Sequence, residues 1–431
     1  MNYYSTGNKK LKQSLRDAVF GGLAPDGGLY MPEKINVLPR NQILSFREKD
    51  FLQISREIAI NLFSDDLPEK DIIRITDSAI SFDTPLVKVE DGVYTLELFH
   101  GPTLAFKDVG ARFMARMLGH FTGGLDQEIN VLVATSGDTG SAVANGFFEV
   151  EGVRVFILYP SGGVSQLQEK QLTTLGGNIT ALEISGTFDD CQRMVKSAFQ
   201  DADLREKLIL TSANSINLAR FLPQSFYYFN AWARLPEKGE FYVSVPSGNF
   251  GNLTAGLIAG RMGLPVRHYI VATNVNDVVP EYMKTGVFSP RPSIPTIANA
   301  MDVGNPSNFA RILDLYGHSH EAIRKAMSAY SYSDDQLREI IGKVYGRTGY
   351  LLDPHGAAGY MALHQHSPKE AGIPGVFLET AHPGKFGDTV EAVINSPVEI
   401  PEKLQQASSK EKVSTLLSVE FPDFKEFLLG I

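Results

Sequence analysis

Hydrophobic positions change their period along this chain. Residues 129–134 (INVLVA) form an unbroken apolar run, the pattern of a strand covered on both faces. Segments 93–98, 153–158, 179–184, 241–245, 266–272 and 375–379 read as further strands. Helical spacing appears between them. Val109, Phe113, Met117 and Phe121 fall on one stripe, and 253–262 gives another helix. Segment 165–175 predicts a helix stopped by Gly176 and Gly177. Thr187, with Asp190 three residues on, marks another helix start of the capping-box kind. Strands alternating with helices predict an α/β fold of mainly parallel sheets with helices on both faces.

The pattern is not uniform. Residues 1–80 are mixed and polar with helix-like stretches such as 51–63, which suits an N-terminal subdomain. Residues 275–350 are richer in Pro, Asn and Ser, and mix loops with helices. The last 30 or so residues read as short helices packed on the outside. Residues 81–107 and 236–395 are expected to form a large domain, 108–235 a smaller mobile one, and 396–431 a helical extension.

A chain of 431 residues exceeds one ordinary core, so two or three domains are expected. The net charge of −9 and pI of about 5.6 argue against nucleic acid or an anionic membrane as partner, since either wants a basic face. They leave an anionic small substrate open. The single cysteine, Cys191, permits no intramolecular disulfide and no cysteine metal site; it reads as a small core or boundary residue of an amphipathic helix, not a nucleophile, and no metal is expected. The first residues, MNYYSTGNKKLKQ, lack a signal-peptide core, and no apolar run reaches the length of a membrane span, so a cytoplasmic protein is expected.

Four segments carry candidate chemistry. FHGPTLAFKD (99–108) puts Lys107 just before a helix for which Asp108 is the expected N-cap. Desolvation and the positive end of the helix would favour its neutral amine, the form that attacks an aldehyde. The bland alternative is a solvated lysine. ATSGDTGSA (134–142) follows a strand and opens a helix, offering backbone N–H groups to an anion, with hydroxyls from Ser136, Thr139 and Ser141. VPSGNFGN (245–252) does the same. Gly248 and Gly251 allow close approach, and Ser247, Asn249 and Asn252 could donate from their side chains. It has neither the Walker lysine nor the GxGxxG spacing, so it suits one monophosphate. Each of these loops could instead be a tight turn. TAHPGKF (380–386) places Thr380 at a strand end, with His382 and Lys385 as possible anion partners, although a lone histidine is more often structural.

Taken together, a reactive lysine, a small-residue loop and a one-phosphate loop resemble the fold-type-II pyridoxal phosphate enzymes, the tryptophan synthase β-like group. HGPTLAFKD, ATSGDTG, SANSIN (212–217), SVPSGNFGN, ATNVND (272–277), NAMDV (299–303) and TAHPGKF occur in that order, with GGLAPDGGLYMP (21–32) near the start. The set resembles the threonine synthase family, in its bacterial and fungal branch, over nearly the whole chain. The resemblance implies two doubly wound, mainly parallel sheet domains with pyridoxal 5'-phosphate between them. It implies that Lys107 holds the cofactor as a Schiff base. Gly248, Asn249, Phe250, Gly251 and Asn252 would wrap its phosphate, and Thr380 would meet its pyridine nitrogen. Ser136, Gly137, Asp138 and Thr139 would hold the substrate carboxylate.

The implied reaction converts O-phospho-L-homoserine and water to L-threonine and phosphate, the last step of threonine biosynthesis, by γ-elimination and β-hydration. Lys107 is the natural proton shuttle. Thr103, Lys385 and 214–217 are candidates for the departing phosphate. One departure stands out: many members of the wider group carry asparagine where this chain has Asp138, facing the cofactor's ring oxygen. A carboxylate there would repel a phenolate unless one of them is protonated. A related phospho-amino-acid lyase or dehydratase is the alternative on the same fold, and a non-catalytic binding protein the alternative from another class. A monomer or homodimer is expected.

Overall fold

A computed structural model describes all residues except 124, 126, 367–371 and 431. Two parallel sheets dominate it. The larger has six strands in the order Met327–Ser331, Val266–Thr273, Phe241–Pro246, Gly375–Glu379, Val93–Glu97 and Leu86–Glu90. All neighbours are parallel except the last pair, which is an antiparallel hairpin. The smaller has five parallel strands in the order Thr415–Leu417, Ile179–Ile184, Val153–Pro160, Ile129–Ala134 and Ile209–Ser212. An antiparallel ribbon of Tyr3–Ser5, Lys12–Gln13 and Tyr30–Pro32 opens the chain.

The expected strands are all present within a residue or two at their ends. Every residue of Ile129–Ala134 is buried, as an apolar run with helices on both faces requires. The capping box at Thr187 forms, and the structure shows a second one at Ser165, each with its third helical residue reaching back. Cys191 is buried in the helix Phe188–Gln200. The C-terminal stretch differs from the all-helical reading. It has the helices Glu402–Ser408 and Phe421–Leu429, but Thr415–Leu417 between them joins the smaller sheet beside Ile179–Ile184. A three-residue edge strand is too short for its alternation to be read from sequence.

One apolar core runs from the N-terminal helices through both sheets. Its centre is the helix Ser225–Arg234, apolar nearly all round (SFYYFNAWAR) and buried along nearly its whole length. Each such Phe, Tyr or Trp contributes about 1.5–3 kcal/mol by leaving water. This rigid body fixes the C-terminal strand edges of the two sheets, where ligands of open α/β folds gather.

Candidate functional site

Val93–Glu97 and Phe241–Pro246 flank Gly375–Glu379 in parallel, so the segments that follow all three strands leave the same sheet edge. Ala105 bridges Ala381, and Phe106 N–H donates to Thr380 O at 2.9 Å. This contact turns the chain into the helix Lys107–Thr122. Lys107 is therefore the first helical residue, and Asp108 is not the N-cap that the sequence suggested. Asp108 lies inside the first turn, fully buried, and caps the preceding turn instead, accepting from Thr103 N–H at 2.9 Å and Thr103 Oγ1–H at 2.6 Å.

The Lys107 amine is deeply enclosed, although the residue keeps some access to solvent. Burial lowers its pKa to about 8, assisted by the positive charges of Arg220 and Lys385 and opposed by Asp138. A far larger share of neutral amine is thus present near pH 7 than in an ordinary lysine.

The glycine loop follows Phe241–Pro246 and opens the helix Gly251–Arg261. A Cβ on Gly248 would stand 2.3 Å from Ala300 O, so only glycine fits. Phe250 adopts a left-handed φ of 62°. The loop's own side chains hold it there. Asn249 donates to Ser215 Oγ at 2.7 Å and accepts from Ser307 N–H at 2.6 Å. Asn252 donates to Pro246 O at 2.8 Å and accepts from Ser247 Oγ–H and Leu253 N–H. These amides are thus spent on bracing and do not point at an anion as the sequence suggested. No acceptor among the described residues takes the N–H groups of Gly248, Asn249, Phe250 or Gly251. Free N–H groups at a helix N-terminus form a cradle for one phosphate.

The second loop follows Ile129–Ala134 on the smaller sheet and opens the helix Asp138–Phe147. Thr135, which the motif reading passed over, is its brace: its Oγ1 accepts from Gly137 N–H at 3.0 Å and Gly140 N–H at 2.8 Å. Gly137 has φ 138°, a conformation open to glycine. The side chains of Ser136 and Thr139 and the N–H groups of Asp138 and Thr139 have no acceptor or donor among the described residues, as a carboxylate site requires.

Asp138 does not stand alone. Lys385 Nζ is 2.5 Å from its Oδ1, Gln168 Nε2 donates to the same oxygen at 3.0 Å, and Lys385 also donates to Thr103 O at 3.0 Å. Burial would raise the Asp138 pKa, but Lys385, then Lys107 and the two hydrogen bonds, hold it well below the carboxylate range. Lys385 thus pairs with Asp138, and Thr103 is tied to Asp108, which leaves neither as a free partner for a departing phosphate.

Motif reading missed another buried cation whose charge acts on Lys107, Arg220. Arg220 is 3% exposed, and its Nε and Nη1 have no hydrogen-bond partner. Burial lowers its pKa to about 10. A buried guanidinium with idle donors is costly unless an anion occupies the space before it. The SANSIN stretch leads to it. Asn217 caps the short helix Leu218–Phe221 that carries Arg220, and also donates to Val19 O, so it is structural. Asn214 Oδ1 is buried without a partner. The sequence signal was available as an arginine three residues past a recognised motif, but nothing in it shows burial.

Thr380 is 5% exposed at the end of Gly375–Glu379, its N–H and C=O both engaged and its hydroxyl bonded to no described residue. His382 is structural: Nδ1 accepts from Gly384 N–H at 3.0 Å, and the ring packs edge-on to Phe99. Among the described residues no three metal-ligating side chains cluster. The donor set fits pyridoxal 5'-phosphate: an enclosed low-pKa amine, a neutral hydroxyl at the strand end and an open cradle for one phosphate.

Comparison with known proteins agrees with this geometry. Residues 80–375 match the family described as pyridoxal-phosphate dependent enzyme, residues 2–80 the threonine synthase N terminus, and 356–427 the threonine synthase C-terminal region. The chain is 43% identical to the threonine synthase of Haemophilus influenzae, with all of both chains covered. It superposes on the crystal structure of threonine synthase from Escherichia coli with a TM-score of 0.93 at 40% identity, covering 100% of each chain. The PLP-bound threonine synthase of Brucella melitensis follows at a TM-score of 0.92 and 34% identity, covering 99% of this chain and 98% of that one.

Proposed function

Because this chain belongs to the threonine synthase family, a group of pyridoxal-phosphate-dependent lyases, we propose that its substrate is O-phospho-L-homoserine, which it converts with water to L-threonine and phosphate through the site built around Lys107. The observation that carries this assignment is the enclosed Lys107 amine, with a pKa of about 8, on the same sheet edge as an open phosphate cradle and under the charge of a buried arginine with idle donors. When bound, the cofactor supplies the electron sink for carbanion chemistry.

The chain's own groups divide the remaining work. Lys107 Nζ holds the cofactor and, once released, takes and returns protons on the substrate carbons. A pKa near the working pH serves both directions. The N–H groups of Gly248, Asn249, Phe250, Gly251 and Asn252 would hold the cofactor phosphate, and the Thr380 hydroxyl would be the partner for the ring nitrogen. Ser136, Gly137, Asp138 and Thr139 hold the substrate carboxylate at the start of their helix. Arg220 receives the substrate phosphate, and charge-assisted bonds there stabilise it as it leaves. Asp138, already neutralised by Lys385, need not be protonated to sit beside an anionic ring oxygen.

Among the described residues no helix is long and apolar enough to cross a membrane. A cytoplasmic location suits this biosynthetic activity.

Borohydride trapping of the lysine-bound cofactor, followed by peptide mapping, should place the label on Lys107. Incubation with phosphohomoserine should yield threonine and phosphate in equal amounts, whereas a lyase or dehydratase reading predicts turnover of phosphothreonine or threonine instead. A label on another lysine would overturn the site assignment.

A further inference from the structure

Two motifs, ATNVND and NAMDV, lie outside the site described so far, and so does a buried pair that no motif reading singled out, Asp353 and His355. These two residues are 0% and 2% exposed, where the helix Pro354–His366 begins. Asp353 Oδ1 accepts from His355 N–H and from His355 Nδ1–H, both at 2.6 Å. Asp353 Oδ2 accepts from Thr380 N–H at 3.3 Å and Ala381 N–H at 3.2 Å. On the far side of the ring, Ala300 N–H donates to His355 Nε2 at 3.2 Å. A backbone N–H can only donate, so Nε2 is bare and the ring proton sits on Nδ1, facing Asp353.

Each end of this relay touches one wall of the cofactor site. Thr380 O accepts from Phe106 N–H and Ala381 bridges Ala105, so the two N–H bonds to Asp353 fix the strand end on which Lys107 is hung. Ala300 O lies against Gly248, close enough to exclude any Cβ there. The unused motifs steady this second wall. Asn274 Nδ2 donates to Ala298 O at 3.2 Å, to Thr296 Oγ1 at 2.8 Å and to Asp302 Oδ1 at 2.7 Å. Behind Asp353, Glu379 Oε2 accepts from Asp353 N–H at 3.2 Å, and burial and the Asp353 charge push its carboxyl well above the usual range, so it adds no second charge. A buried carboxylate is a costly way to fill space, and a well-packed apolar side chain would be cheaper if filling were its only task.

We propose that Asp353 and His355 are positioning residues that set the distance between the Lys107–Thr380 wall and the Gly248 phosphate cradle, with Asp353 choosing the histidine tautomer that leaves Nε2 free to hold Ala300. A rigid ligand gripped at both ends tolerates displacements of only about 0.5 Å. The inference rests on the cofactor reading above.

Three variants separate its links. Asp353→Asn can keep accepting from Thr380 and Ala381 through its oxygen, but its amide N–H₂ then loses the bond from His355 N–H and faces His355 Nδ1 as a donor. The ring proton moves to Nε2 and meets the Ala300 N–H head-on. His355→Asn keeps a donor to Asp353 and loses the Ala300 bond. His355→Gln keeps an acceptor at the reach of Nε2. Cofactor affinity is measured by titrating cofactor-free protein with pyridoxal phosphate and following its visible absorption, alongside the melting temperature of the cofactor-free form. Asp353→Asn and His355→Asn should weaken affinity about 10- to 100-fold, the range for removing a partner behind a binding group. His355→Gln should recover most of it, and the cofactor-free melting temperature should not rank the three in the same order. Affinity equal to wild type in both asparagine variants, or affinity that simply follows the melting temperature, overturns the proposal. If borohydride mapping places the label away from Lys107, the cofactor reading itself has failed; a label on Lys107 with unchanged affinities sinks only the positioning role.

Discussion

Lys385 Nζ and Asp138 Oδ1 are 2.5 Å apart, both side chains are buried, and they come from different sheets: Asp138 from the turn after Ile129–Ala134, Lys385 from the turn after Gly375–Glu379. The pair closes the site from both sides. It also accounts for a carboxylate at a position where the sequence comparison expects an amide in many members of the wider fold group, because the lysine supplies the compensating charge.

Removing one partner strands the other. Asp138→Asn should therefore destabilise the protein by about 3–5 kcal/mol, the range for an orphaned buried charge. Adding Lys385→Met to it should recover much of that loss in urea unfolding while turnover stays low. If the single variant unfolds at the wild-type midpoint, the pair is not closed in solution.

The depressed Lys107 pKa predicts a pH dependence. The neutral amine takes up the cofactor, so the rate of reconstitution of cofactor-free protein should rise with pH and level off above about 8. An ordinary lysine would keep gaining to about 10.4. Stability carries the same sign. With its folded pKa below the unfolded value, the buried ammonium is a penalty fully present below about 8 and relieved as pH climbs toward the unfolded value. Wild type should therefore gain unfolding free energy relative to Lys107→Met, both without cofactor, as pH rises across that window. A flat difference would place the amine in water.

Gly248→Val forces a side chain into a space 2.3 Å from Ala300 O. The loop must shift, which opens the phosphate cradle. The expected outcome is weaker pyridoxal phosphate binding, with excess cofactor restoring thermal stability by mass action. Calorimetric affinity equal to wild type would mean that the loop serves another ligand.

If Arg220 meets the substrate phosphate as proposed, Arg220→Gln should cost about 10²–10³ in kcat. Inhibition by inorganic phosphate should weaken in parallel. Since the guanidinium also lowers the Lys107 pKa, the reconstitution curve should move to higher pH. A normal phosphate inhibition constant in this variant would exclude Arg220 as the phosphate partner.

The sequence by itself determined the fold class and the placement of the reactive segments. An unbroken apolar run such as 129–134 has the length and pattern of a covered strand, and small residues directly after it leave backbone N–H groups open to a ligand. Strand–loop–helix periodicity put Gly248, Thr380 and Asp138 at or near strand ends, and the resemblance of the motifs singled out Lys107. Tertiary structure alone decided what the polar side chains do. Asn249 and Asn252 had the chemistry to bind an anion and instead spend their amides on the loop. Lys385 and Thr103 had the chemistry to meet a phosphate and instead satisfy Asp138 and Asp108. Arg220, Asp353 and His355 could have been solvated residues, and their roles follow from burial. Hydrophobic spacing encodes which face of an element is covered. The partner of a buried charge is set by contacts between residues hundreds of positions apart, such as Asp138 and Lys385, and those contacts exist only once the sheets have packed.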